Sequence, residues 1–210
     1  MHSSLRDAPA AGPETALRLF CSPGRSRPAN YPTLAERARF HLRNASLERC
    51  GDLQVYLFEP SCAPAGTTLL IHGWGAEASF LAGFAEPLRR AGLRVVLFDL
   101  PAHGLSGGQY TNLAGCAWAA FRVATQFGPV GGIVGHSLGG LVALWIAEGG
   151  PPLPSPIPAN KIALLACPNR FIVGTFKLLN AGRRERQHLH IDTGRVHFGN
   201  SAVANIAKLI

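Results

Sequence analysis

The 210-residue sequence has no Cys-x-x-C pair. Its five cysteines, at 21, 50, 62, 116 and 167, are odd in number and widely spaced. Neither a structural zinc site nor a disulfide framework fits that spacing. The first 30 residues hold no continuous apolar stretch of the kind a secretory signal needs, and no run approaches the roughly 18 apolar residues of a membrane span. A cytoplasmic protein without an integral membrane segment is the resulting expectation. Acidic residues are few, 12 against 20 basic ones for a formal charge of +8. The basic residues are nevertheless scattered apart from "AGRRERQ" at 181–187. No aromatic residues interleave with that run as nucleic-acid stacking would require, so it reads as a solvated helix face and no nucleic-acid partner is expected.

What is present is a hydrophobic fraction of 47%, enough for one well-buried core. Residues 1–30, rich in Pro, Ala, Ser and Arg, read as a loose N-terminal arm. A helix is expected over 33–45, with Thr33 as cap and Glu36 completing a capping box. From residue 51 onward short apolar runs alternate with helical patterns. Strands are expected in "LQVYLFEP", "TTLLIHGWG", "LRVVLFDLPAHG", "PVGGIVG" and "KIALLACP". Helices are expected over 79–92, with Ser79 as cap and Pro87 as a distortion, over 112–128, and in "SLGGLVALWIAEGG". Strand runs that are apolar on both faces belong to a parallel sheet covered by helices, so the fold class is α/β. This core spans 31–168. The pattern then changes, and 169–210 reads as a helical, lid-like segment without a further strand.

The stretch "GGIVGHSLGGLVAL", 131–144, carries the strongest chemical signal. A strand passing through Gly135-His136-Ser137-Leu138-Gly139 straight into a helix forces a tight turn at Ser137. That turn lifts a hydroxyl above the sheet edge at the positive end of a helix. A phosphate-binding loop is disfavoured because no Lys-Ser or Lys-Thr pair follows the glycines. A helix-capping serine on a glycine-rich turn is the bland alternative.

With "LLIHGWGAE", "VVLFDLPAHGLSGG" and "IVGHSLGGLVAL" in this order, residues 51–168 resemble the α/β-hydrolase superfamily, in its lipase, esterase and serine aminopeptidase-like branch. The resemblance implies a mostly parallel sheet with flanking helices, its last strands here missing. It implies Ser137 as catalytic nucleophile, with the backbone N–H groups of Trp74 and Leu138 forming the oxyanion hole. It also implies a small-molecule acyl substrate and no metal or organic cofactor. His72 and His136 are structural in such proteins, and Asp99 and His103 belong to a structural loop rather than a catalytic pair. In this fold the triad acid and then the histidine follow the serine. After Ser137 the acids are Glu148, Glu185 and Asp192 and the histidines are His188, His190 and His197. "GRVHFG" imitates the expected histidine context, but no strand precedes it in the sequence pattern, so the triad acid and base are unassigned. The leading expectation is therefore a serine hydrolase of carboxylic esters or related acyl compounds. The alternative is a catalytically incomplete, hydrolase-like protein with a binding role or no activity. Missing last strands would also leave the strand at 161–168 as a sheet edge open to self-association.

Overall fold

The structure, a computed structural model, describes residues 12–24, 39–42, 53–168 and 191–192. Among these residues the sheet has the strand order β1-β2-β4-β3-β5-β6-β7. The strands are β1 (Arg39–Leu42), β2 (Leu53–Phe58), β3 (Thr67–Ile71), β4 (Arg94–Phe98), β5 (Val130–His136), β6 (Lys161–Leu165) and β7 (Ile191–Asp192). β1 and β2 join antiparallel, as do β2 and β4, while every pairing from β4 through β3, β5 and β6 to β7 is parallel.

The apolar runs lie where a doubly covered sheet needs them. All five residues of β3 are buried. Alternate side chains serve opposite faces: Leu69 and Ile71 pack with the helix layer of α3 (Leu113–Phe127) and α4 (Leu138–Glu148). Leu70 packs on the other face, against Leu81, Phe84 and Leu88. Those three belong to a 3-10 segment, Ala78–Phe84, that runs into α2 (Ala85–Arg90). The expected single helix over 79–92 is thus split, and Pro87 sits in the first turn of α2, where its missing N–H costs no intrahelical bond. Ser79 does not cap; its hydroxyl donates to the Glu77 carboxylate at 2.6 Å. Asn112 caps α3 by accepting from the Gly115 N–H at 2.8 Å, and Gly149 closes α4 at φ 66°.

Three elements depart from expectation. Arg39–Leu42, inside the helix expected over 33–45, is a strand. Its Arg-Phe-His-Leu alternation has period 2, and the open side of β2 supplies ladder hydrogen bonds that outweigh the cap signal. The rest of that expected helix lies outside the described residues. Within the expected loose arm, Pro13–Phe20 forms helix α1, with proline in its first turn and a Glu14–Arg18 ion pair at 3.2 Å. The remainder of the arm lies outside the described residues, as does most of the expected helical segment at 169–210. Ile191–Asp192, where neither a strand nor a sheet partner was expected, pairs parallel with Ile162 and Ala163 of β6.

Candidate active site

β3 and β5 are parallel neighbours with Ile71 opposite Gly135. The loop after β3, His72–Gly75, and the turn after β5 therefore emerge side by side at one sheet edge. Ser137 occupies that turn at φ 51°, ψ −116°, a conformation that costs a non-glycine residue about 1–3 kcal/mol. Packing holds it there. A Cβ on Gly139 would strike the carbonyl oxygens of Ile71 and His72, and one on Gly135 would strike the Gly139 carbonyl, so both glycines are required by close backbone approach. The Ser137 N–H donates to the Leu165 carbonyl at 2.8 Å, fastening the turn to β6. The sequence pattern gives no hint of this bond, because it depends on which strand lies next to β5.

The loop after β3 packs directly on the serine: a Cβ on Gly73 would lie 3.1 Å from the Ser137 Cβ and 2.9 Å from His136 Nδ1. A turn closed by Ala76 N–H donating to the Gly73 carbonyl at 3.3 Å, with Gly75 at φ 70°, carries Trp74 at its tip. Leu138 is the first residue of α4, so its amide belongs to the helix N-terminus, where peptide dipoles favour negative charge. Ser137, Trp74 and Leu138 thus share one edge of the sheet.

Two histidines near this edge, His72 and His103, bond to backbone groups, whereas His136 Nδ1 and His103 Nε2 are buried without a hydrogen-bond partner among the described residues. His72 is fully buried, donates from Nδ1 to the Gly73 carbonyl at 2.8 Å, and accepts the Leu100 N–H on Nε2 at 2.9 Å. Burial lowers its pKa from 6.5 to about 3; the bond to Gly73 opposes this and the neighbouring His103 and His136 reinforce it. It is a neutral brace between two loops. His103 donates from Nδ1 to the Pro101 carbonyl at 2.9 Å, and its ring meets Trp74 edge-on, centroids 5.2 Å apart. Asp99 uses its carboxylate on backbone N–H groups, those of Ala78 at 2.8 Å and Leu105 at 2.9 Å. Burial pushes its pKa up while these hydrogen bonds pull the other way. Asp99 and His103 each clamp a loop and do not form a dyad.

Two aromatic neighbours escape the sequence reading. Phe80 packs against His136 with centroids 4.7 Å apart, and Phe20 of α1 stacks on Trp74 at 6.3 Å. The i, i+3 spacing of Leu17 and Phe20 is the one signal that pointed to an apolar helix face there. Among the described residues no hydrogen bond engages the Ser137 hydroxyl. Asp192 lies in β7 opposite Ala163, and His188, His190 and His197 lie outside the described residues. Among the described residues, no three His, Cys, Asp or Glu side chains are grouped to hold a metal ion.

Residues 68–204 match the profile of the Alpha/beta hydrolase family. The chain belongs to that family. A curated relative of this hydrolase-family chain is the magnesium-chelatase 30 kDa subunit of Rhodobacter capsulatus, 29% identical over 138 residues. The match takes in 64% of this chain and 44% of the relative, so the chain spans less than half the length of that protein. Among solved structures, the thioesterase domain from the curacin biosynthetic pathway is 21% identical with a TM-score of 0.52, covering 70% of this chain and 54% of the domain. A membrane phospholipase A from a bacterium, a virulence factor, is 24% identical with a TM-score of 0.50, covering 62% of this chain and 40% of its own. These structural likenesses concern the fold.

Among the described residues, no helix of this hydrolase-family chain is long and apolar enough to cross a membrane.

Proposed function

We propose that the chain is a serine hydrolase of carboxylic esters or related small acyl compounds, with Ser137 as nucleophile. The observation that carries this reading is the backbone of Ser137, held at φ 51° between β5 and α4 with the Gly73 loop packed against it. Strain at a half-buried hydroxyl over a helix N-terminus is the arrangement a nucleophile needs. The hydroxyl oxygen attacks the acyl carbon as its proton passes to a base, and the carbonyl oxygen becomes an oxyanion. The amides of Trp74 and Leu138 stabilise that charge, at about 3 kcal/mol of barrier each. Collapse expels the leaving group with the proton, and water releases the acyl group from Ser137.

A second reading rests on the unengaged Ser137 hydroxyl: a hydrolase fold without a base, serving a binding role. Treatment with a fluorophosphonate separates the two. A mass increase in wild type that disappears in Ser137→Ala supports the nucleophile, and its loss in His197→Ala would name the base. Folded wild type that gains no mass overturns the hydrolase reading in favour of the incomplete one.

Self-association through the edge of β6, which β7 pairs at only two residues, is a further proposal. Light scattering should show dimers as concentration rises; a monomer throughout would refute it.

A further inference from the structure

The loop that carries the Trp74 amide has little of its own to hold it. Glycines stand on both sides of Trp74, so between His72 and Ala76 the indole is the only side chain. The direction of the backbone there is set by the turn onto the Gly73 carbonyl and by whatever grips the indole. Two rings grip it. His103 meets the indole edge-on, with centroids 5.2 Å apart, and is itself fixed by its Nδ1 bond to the Pro101 carbonyl. Phe20 lies nearly parallel to the indole, at 21°, with centroids 6.3 Å apart. Both separations fall within the range in which aromatic pairs attract beyond the area they bury.

The two rings come from different places. His103 is buried and belongs to the loop after β4, whereas Phe20 stands on α1, which has no buried residue and adds nothing to the core. The helix also lies outside residues 68–204, the span that matches the family profile. Its C-terminal end is nevertheless fastened to the site edge, because the Thr111 N–H donates to the Cys21 carbonyl at 2.9 Å. Phe20 stays 78% exposed and Trp74 39%, so α1 stands at the rim and does not plug the site. An element that stays outside the core, is fastened at one end and grips one ring is placed to steady the loop rather than to close it.

We propose that Phe20 is a positioning residue: through the Trp74 indole, α1 acts as a strap that steadies the turn from Gly73 to Ala76 and with it the direction of the Trp74 N–H. The chemical effect rests on the hydrolase reading, in which that N–H meets the oxyanion formed at Ser137. An aromatic pair of this kind shifts an equilibrium by no more than about tenfold, so the strap stabilises the turn without locking it. Two measurements on wild type, Phe20→Ala and Phe20→Tyr test the strap. Amide hydrogen exchange, read by mass spectrometry on a peptide covering 72–76, should be about fivefold faster in Phe20→Ala and return to the wild-type rate in Phe20→Tyr. Labelling of Ser137 by a fluorophosphonate should slow about fivefold in Phe20→Ala and recover in Phe20→Tyr, with circular dichroism unchanged in both. Equal exchange in wild type and Phe20→Ala overturns the proposal. So does labelling that is unchanged or faster in Phe20→Ala, a faster rate showing that α1 covers Ser137 instead. Wild type that takes up no probe is a failure of the hydrolase reading alone, and exchange then decides whether the strap holds the loop.

Discussion

Ser137 concentrates the local physics of the site, because its backbone is strained and its hydroxyl is free of partners among the described residues. Replacing it should therefore distinguish strain from chemistry. Ser137→Gly removes the positive-φ penalty that Ser137→Ala keeps, so the glycine variant should exceed the alanine variant in unfolding free energy by about 1 kcal/mol in urea titrations, and neither should react with a fluorophosphonate. Gly139→Ala drives a methyl into two backbone oxygens and should cost about 3 kcal/mol or prevent folding. Gly83→Ala, with open space around it, should stay within about 0.5 kcal/mol of wild type. His72 sets a pH dependence. Its folded pKa of about 3 lies below 6.5, so the unfolded chain takes up the proton first as pH falls. Its contribution is complete above pH 6.5 and is lost progressively toward pH 3, at most roughly 3 kcal/mol of it by pH 4. A urea midpoint that falls between pH 7 and pH 4 in wild type, and falls less in a folded His72→Gln variant, would verify this. The Gly-x-Ser-x-Gly pattern was legible because backbone contact dictates its glycines. The braces at His72 and Asp99 were legible only as non-catalytic, since their partners Leu100, Ala78 and Leu105 are fixed by how loops meet.

At the scale of elements, Asp99 joins the end of β4 to the 3-10 segment through Ala78 and to the following loop through Leu105. Asp99→Ala leaves the buried Ala78 N–H and the part-buried Leu105 N–H without their acceptor and should lower stability by about 2 kcal/mol, read as a fall in urea midpoint. Asn112→Ala removes the cap of α3 and should cost about 1 kcal/mol, with no effect on Ser137 reactivity. Elements whose pattern is internally consistent, β3, β5, β6, α3 and α4, were legible from the sequence with starts within a residue of those observed, although the expected strands over 67–75 and 161–168 end earlier, at Ile71 and Leu165. β1 and β7 were not, because each exists only through the strand beside it: β1 on β2, and the two residues of β7 on β6. α1 escaped for a related reason, since a short helix with no buried residue leaves little periodic trace outside Leu17 and Phe20.

For the molecule as a whole, the family match takes in residues 68–204, and under the proposed hydrolase reading an acid and a base for Ser137 would have to come from the region beyond 168. β7 narrows that question, because a strand now precedes "GRVHFG" and runs parallel to β6, toward the edge that carries Ser137. The strand order has a further consequence during synthesis. β3 lies between β4 and β5, and both of its neighbours follow it in the chain. β5 begins about 60 residues after β3 ends, which at ribosomal rates of roughly 5–20 residues per second means a wait of several seconds. Throughout that interval the nascent polypeptide carries "TTLLI", buried at every position in the finished fold, with one side of its backbone unpaired. Protection of that segment by a chaperone, or its capture by another nascent chain, would then set the yield of this protein more than the stability it finally reaches.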